Sequence, residues 1–416
     1  MVRLKGFTKL TPLDEALEKF FQKIRLERLP SENISLSEAF LRVLAVDVIA
    51  EKDIPRFDRS AVDGYAIKAE DTLNASVFHP KKLMLVESDF IKNGEARAVW
   101  TGQPLPDGAD AVIMLEHTKK SNGKIEVLKA VAKWENVSKK GEDVKAGELV
   151  LKAGTRLKPW HLGLLAALGY EKVEVVQKPK VAIFATGNEL VVEIGEEPEK
   201  GKVIETNRLI LSSMCRELGA QPVDLGIVPD REESIKEKIL EGAEKADIIV
   251  STGGTSVGKA DLVPETINKM ENASIIVHGI AIRPAMPTAL AVVNNKPFFI
   301  LSGNPVAAII GFEVFVRSAI LRLLGAEKEA RFRVKAKLAR RVAGVLGRKA
   351  FLRVKVYERN GEFLAEPVSV TGSGVLTTMT KANGFVVIPE NREGLEEGEE
   401  VAVYLFDNIE RDENHV

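Results

Sequence analysis

DIIVSTGGTSVGKAD, residues 247–261, passes from an apolar run directly into a glycine- and hydroxyl-rich turn. An apolar run this short, bounded by turn residues, reads as a strand buried on both faces. The pattern recurs in VAIFATGNEL at 181–190 and in FFILSGNPVAA at 298–308. Between these segments, 207–218 and 232–246 carry helical periodicity, and Gly219 ends the first. Residues 223–228, 275–282 and 289–293 read as further strands, and 306–324 as a long helix. Alternation of strand and helix predicts a doubly wound α/β domain over 178–326, with a mostly parallel sheet covered on both faces. Ligands of such sheets bind in loops beyond the carboxyl ends of the strands, where all three turns fall.

The flanks have a different texture. Residues 331–338 alternate basic with apolar, 351–357 alternate likewise, and Asn360-Gly361 is a hairpin turn, so the chain after about 327 reads as β. Upstream, Thr11-Pro12 opens a helix whose apolar face is Leu13, Leu17, Phe20, Phe21 and Ile24. A second helix is expected from Ser35, with Glu38 as its capping-box partner and Leu36, Phe40, Val43 and Leu44 as its apolar residues. Residues from about 51 to 150 hold short apolar runs cut by Gly, Pro and Asn, with Asn122-Gly123 as a hairpin signal, and read as a small β module.

Composition narrows the function. The 59 basic and 60 acidic residues leave a net charge of −1, so no global charge favours nucleic acid or an anionic membrane. No run is long enough for a membrane span, and the charged N-terminus is not a signal peptide. The single cysteine, Cys215, sits in an apolar helical run, suits a reducing cytoplasm and reads as a buried helix residue. The five histidines show no zinc-ligand spacing.

Five segments can carry chemistry. PRFDRSAVDGYAI at 55–67 concentrates Asp58, Arg59, Ser60, Asp63 and Tyr65; a surface turn cornered by Asp63-Gly64 is the plainer reading. In ATGNEL, Thr186 and Gly187 end a strand and Glu189 can bind Mg²⁺ or a substrate donor, against a solvated loop glutamate. In the 251–261 turn, Gly253 to Lys259 satisfies G-x-x-x-x-G-K, but Ala260 replaces the Ser or Thr a P-loop needs for its metal. An ATPase is therefore disfavoured, while backbone N–H groups remain free to approach an anion. In LSGNPVAA, Ser302, Asn304 and Pro305 suit a helix start, which serves capping or anion binding equally. The tract 331–349 holds eight basic residues and no acid, either a solvated strand face or a wall facing an anion. Dinucleotide-binding and nucleophile-elbow patterns are absent.

Taken in order, these segments resemble the MoeA-type molybdopterin molybdenumtransferases, the family of the gephyrin E domain. FDRSAVDGYA, TGQPLPDGADAVIMLE at 101–116, GEDVKAG at 141–147, ETN at 205–207, GIVPD at 226–230 and GSGVL at 372–376 are similar to its motifs, from about residue 8 to 405. The resemblance implies a four-part homodimer: 1–50 with 143–177 as a helical and strand domain whose first helix is free to pack on the α/β domain, the 51–142 module, a molybdopterin-binding domain at 178–326, and a C-terminal β-barrel at 327–410. It implies that adenylylated molybdopterin and molybdate or tungstate react with Mg²⁺ or a similar cation to give the cofactor and AMP. Glu189, Asp230 and Asp261 would be catalytic metal or pterin ligands, while Gly253, Gly254, Ser256 and Gly258 would cradle phosphate. Arg348 and Ser373 would serve the oxyanion, with Arg283, Thr186, Gly187, Ser302, Asn304 and Pro305 lining the substrate. Catalytic Asp63, with substrate-binding Thr101 and Asp143, would complete the partner subunit's site. A molybdopterin adenylyltransferase remains open as a partner; adenylyl transfer and a non-catalytic pterin carrier remain alternative functions. Three motifs depart from the family: its KPGKP is Arg283-Pro284-Ala285-Met286-Pro287 here, its LPGNP is LSGNP, and its GDEL is GNEL, with Asn188.

Overall fold

The computed structural model describes residues 10–192, 195, 198–254, 262–368 and 373–411. They form two compact units, one of residues 33–40 with 44–175, the other containing the remainder of the chain. Among the described residues no helix is long and apolar enough to cross a membrane.

The sheet of the larger unit runs in the order Gln221–Val228, Lys180–Thr186, Ile248–Thr252, Lys296–Leu301, Ala289–Val293, Ala273–His278. The first four strands are mutually parallel, and only Ala289–Val293 runs against its neighbours. Side chains alternate across the sheet, and both faces are covered, which is why these strands read as continuous apolar runs. Helices Glu232–Lys245 and Leu262–Asn268 put Ile235, Ile239, Val263 and Ile267 against Ala182, Phe184, Ile249 and Phe298. Phe299, next along its strand and so on the other face, meets Phe20 of helix Leu13–Lys23 with ring centroids 5.2 Å apart. Cys215 is fully buried in helix Asn207–Glu217, and burial pushes its thiol up to about 12, so it is an inert packing residue at neutral pH.

The long helix expected over 306–324 is present but interrupted: α-helix Pro305–Gly311, a π-turn Phe312–Val316, then α-helix Arg317–Leu324. A Cβ on Gly311 would stand 2.9 Å from Leu301 Cδ2, so the glycine lets the first part of this helix lie close on the sheet.

After it, strands Arg333–Leu338, Lys349–Arg359, Glu362–Pro367, Gly384–Ile388 and Glu400–Leu405 close into a five-stranded barrel. Ala336, Leu338, Leu352, Val354, Val356 and Val403 fill it. Outside the ring, Ile282–Arg283 pairs in parallel with Lys349 and Ala350, which ties the barrel to the segment preceding Ala289–Val293.

In the other unit, six strands pair in the order Ala111–Met114, Gly64–Ile67, Glu95–Val99, Lys81–Leu85, Lys124–Val127, Thr118–Ser121. Tyr65, Ile67, Ile113 and Ile125 are in its core, and a second core gathers Leu44, Val48, Leu157, Leu165 and Val175. The expected helix from Ser35 is absent. Only a 3-10 turn, Leu36–Glu38, forms there, and Leu41 sits at φ 61, which no α-helix accommodates. Leu44 and Ala45 then give their N–H groups to Thr155 and Glu174. Ser35 does meet Glu38, but side chain to side chain at 2.8 Å. At the first helix, Leu13–Lys23, Thr11 N–H donates to the Gly279 carbonyl, and Pro12 stands at the N-cap without a side-chain bond.

Candidate functional site

Two neighbouring parallel strands end side by side, and the chain leaves them toward opposite edges of the sheet. From Lys180–Thr186 the next strand lies on one side; from Ile248–Thr252 the chain goes to the other. That reversal opens a crevice at the carboxyl ends. Gly253 and Gly254 form the turn there at φ +86 and +68. A Cβ on Gly253 would lie 2.4 Å from the Thr186 carbonyl oxygen, so the two strand ends touch only because that side chain is missing. On the adjacent loop, Glu189 folds back until Oε1 would stand 2.7 Å from a Cβ on Gly187. Asp230 is tied to the same loop reciprocally: its N–H donates to Asn188 Oδ1 at 3.1 Å, and Asn188 N–H donates to Asp230 Oδ2 at 3.3 Å.

These groups border a cavity of about 740 Å³. Thr186, Gly187, Glu189, Asp230, Gly253 and Gly254 line one part, and Ser302, Asn304 and Pro305 another. Glu205 and Asn207 also border it, although the sequence marked ETN at 205–207 only as a shared block. Glu205 is held by Arg208 Nε at 2.9 Å, and Arg208 NH1 also donates to Asp224 at 2.5 Å. Asn207 Nδ2 donates to the Gly303 carbonyl at 2.8 Å, and among the described residues its buried Oδ1 has no partner, nor does Thr186 Oγ1. Unsatisfied buried polar atoms cost about 1–3 kcal/mol each and gather where ligands bind.

Glu189 and Asp230 offer hard oxygen ligands, the donor type Mg²⁺ selects. Among the described residues no group of three metal-ligating side chains exists. Two carboxylates with phosphates and water still suit Mg²⁺, which usually takes only one or two protein ligands. Asp261, Ser256 and Gly258 lie outside the described residues.

A second cavity, of about 410 Å³, shares Pro287, Ser302 and Asn304 with the first. Arg283, Arg348 and Ser373 border it, as does Met286. It is bordered by Arg353 too, a residue the sequence reading passed over as one more basic strand position. Asn304 organises the hydroxyls. Its N–H donates to Ser302 Oγ at 3.3 Å and its Nδ2 to Ser373 Oγ at 3.0 Å, so both serines keep their own protons to donate onward. Ala285, where the related motif has glycine, keeps a left-handed backbone at φ 75.

The basic tract divides. Lys335, Lys337, Arg340 and Arg341 pair with Glu400, Glu362, Glu366 and Glu396, and Arg331 with Glu313, so these form a solvated or structural face. Arg348 alone of that tract borders the cavity.

In the other unit, Thr101 donates its N–H and its hydroxyl to Asp63 Oδ1, both at 2.8 Å. The backbone bond first and the hydroxyl second hold the Asp63 carboxyl below its usual range. Asp143 is exposed on a loop anchored by its N–H to the Ile54 carbonyl.

Comparison with known proteins matches the whole length. Family profiles described as the MoeA N-terminal region (domain I and II), a probable molybdopterin binding domain and the MoeA C-terminal region (domain IV) cover residues 11–169, 182–322 and 335–406. A putative molybdopterin biosynthesis protein of Methanocaldococcus jannaschii is 39% identical, over 97% of this chain and 100% of its own. A molybdopterin molybdenumtransferase of Bacillus subtilis is 35% identical, over 97% and 95%. The crystal structure of a molybdopterin biosynthesis MoeA protein from Pyrococcus horikoshii superposes with a TM-score of 0.82 at 38% identity, covering 96% of this chain and 100% of that one.

Proposed function

Because the chain belongs to the MoeA family of molybdopterin molybdenumtransferases, enzymes of molybdenum cofactor biosynthesis, we propose that its two joined cavities bring adenylylated molybdopterin against a tetrahedral metal oxyanion. The observation that carries this reading is the contrast between the cavities. The larger holds two carboxylates and a glycine turn; the smaller is bordered by arginines and hydroxyl donors, and Ser302 and Asn304 belong to both.

In this reading the pterin substrate occupies the larger cavity, its phosphates against Gly253 and Gly254 with Ser256 and Gly258. Thr186, Gly187 and Pro305 border the same substrate. Glu189, Asp230 and Asp261 hold Mg²⁺, which when bound offsets the charge of the pyrophosphate link. Arg283, Arg348, Ser302 and Ser373 hold molybdate or tungstate; both are tetrahedral dianions, and a set of donors without acceptors suits either. As the two dithiolene thiols take the metal, one oxyanion oxygen leaves with their protons as water, and one water adds across the pyrophosphate link, so its cleavage gives AMP and the pterin phosphate. Asn304 keeps both serines in donor orientation, so the oxyanion is met by protons already turned toward it. Asp63, Thr101 and Asp143 serve the site of a second subunit in a homodimer. The chain is divided as its pattern suggests, with the 51–142 module inserted in the first domain, and a molybdopterin adenylyltransferase supplies the substrate.

The test is AMP release from adenylylated molybdopterin with Mg²⁺, with molybdate or tungstate added in parallel and Glu189→Ala as control. Oxyanion-dependent release that the variant loses by at least about 100-fold is expected. Pterin binding with no AMP under either oxyanion would sink the reading.

A further inference from the structure

Glu189 and Asp230 reach the larger cavity from different elements, the turns that follow strands Lys180–Thr186 and Gln221–Val228. Pairing of these parallel strands ends at Thr186 with Val228, short of both carboxylates. The ties that hold the two turns together meet at Asn188. Its N–H donates to Asp230 Oδ2 at 3.3 Å, its Oδ1 accepts the Asp230 N–H at 3.1 Å, and its carbonyl accepts Lys202 Nζ at 2.8 Å. On either side, Gly187 N–H donates to the Val228 carbonyl at 3.3 Å, and the Glu189 carbonyl accepts the Val203 N–H at 2.9 Å. The Glu189 carboxylate folds back over Gly187 while the Asp230 carboxylate reaches the Asn188 N–H, so two anionic groups converge on one short stretch of backbone.

The Asp230 N–H requires only an acceptor, and a carboxylate would serve it as well as an amide. The choice between the two decides charge. Where the related motif has aspartate, Asn188 keeps the acceptor and leaves out one negative charge beside Glu189 and Asp230. Among the described residues no group of three metal-ligating side chains gathers here. Mg²⁺ is ordinarily held by one or two carboxylates together with substrate phosphates, and affinity for a hard cation grows with the charge of its ligands. A separate observation marks the same cavity as a place for a ligand. Thr186, on its border, is 3% exposed, and its Oγ1 has no partner among the described residues.

We propose that Asn188 is a positioning residue that sets the order of binding. By holding Asp230 with a neutral amide, it keeps the affinity of the site for a free divalent cation low, so the cation enters together with the diphosphate of the substrate. This rests on the transferase reading, and the experiment keeps the two apart. Mn²⁺ would be titrated calorimetrically into the full chain without substrate, for wild type, Asn188→Asp and Asn188→Ala; Asp261, outside the described residues, is common to all three. In parallel, the Mg²⁺ dependence of AMP release would be measured at several concentrations of adenylylated molybdopterin. Asn188→Asp keeps the acceptor and adds a charge, so it is expected to bind Mn²⁺ alone about 10-fold more tightly than wild type with Tm unchanged. Asn188→Ala loses the acceptor and adds no charge, so its Tm falls and its Mn²⁺ affinity does not rise. In wild type the half-saturating Mg²⁺ concentration should fall as substrate rises, and in Asn188→Asp that dependence should be lost. Mn²⁺ bound by wild type as tightly as by Asn188→Asp overturns the proposal, as does a half-saturating Mg²⁺ concentration in wild type that ignores substrate. A change confined to Asn188→Ala, with its lowered Tm, also overturns it, since that is a structural role alone. If wild type releases no AMP, the transferase reading fails on its own, and the Mn²⁺ titrations still decide whether Asn188 holds the cation affinity down.

Discussion

Gly253 shows how much one hydrogen atom in place of a side chain can matter. Its φ of +86 and the 2.4 Å from a built Cβ to the Thr186 carbonyl are both prohibitive for alanine. Gly253→Ala is expected to destabilise by about 1–3 kcal/mol and to distort the larger cavity, read as a lowered denaturant midpoint at unchanged slope. Asp63 makes a prediction of a different kind. Its folded pKa is depressed by Thr101, so the stability this contact contributes is present above the usual carboxylate range and is lost as pH falls through the folded value. Thr101→Val keeps the backbone bond and removes the hydroxyl, so an NMR titration should show the Asp63 midpoint moving part of the way back up. An unmoved midpoint would mean the hydroxyl contributes nothing. At this scale the sequence was readable where a residue type has one strong use, as with glycine at strand ends. Arg353 was not readable, because a basic residue at an alternating position means solvent unless another element happens to cover it.

Elements followed the sequence wherever periodicity ran long and failed where a tertiary bond competed with a short local signal. The strands and helices expected between 180 and 324 appear within a few residues, except that the strand expected over 275–282 ends at His278 and the helix over 306–324 is interrupted; helix Leu262–Asn268 was not expected. The segment from Ser35 has a helix-like start and an apolar face from Leu36 to Leu44, yet Leu44 and Ala45 pair with Thr155 and Glu174 instead. The barrel depends on a clamp that no pattern announces. Asn383 accepts the Val356 N–H at 2.7 Å and donates to the carbonyls of Val356 at 2.7 Å and Asn408 at 3.0 Å, joining strand Lys349–Arg359 to the chain end. Asn383→Ala orphans these buried groups and is expected to cost about 1–3 kcal/mol in a thermal or denaturant melt. Alternation along Arg333–Leu338 was legible, but its partners were not. Lys335 and Lys337 pair with glutamates 65 and 25 residues away.

At the scale of the molecule, those pairs test which basic residues matter. The double variant Lys335→Ala, Lys337→Ala loses two exposed ion pairs, worth about 0.2–1 kcal/mol each at most, and should leave the oxyanion dependence of AMP release untouched. Arg348→Ala, from the same tract, should raise the half-saturating oxyanion concentration about 10-fold or more. Equal effects would mean that bulk positive charge, and not the cavity, attracts the anion. By itself the sequence determined the α/β class, the strand-end turns and the family, because each is encoded in residues near one another along the chain: periodicity of two or 3.6, glycines at turns, and motifs in a set order. Only the tertiary structure decided that 221–228 and 248–252 flank 180–186 on opposite sides, that Ile282–Arg283 adds to a barrel strand, and that two cavities meet at Ser302 and Asn304. Those outcomes depend on which surfaces bury most apolar area and satisfy most hydrogen bonds when the whole chain closes, and that balance is not written in any local stretch.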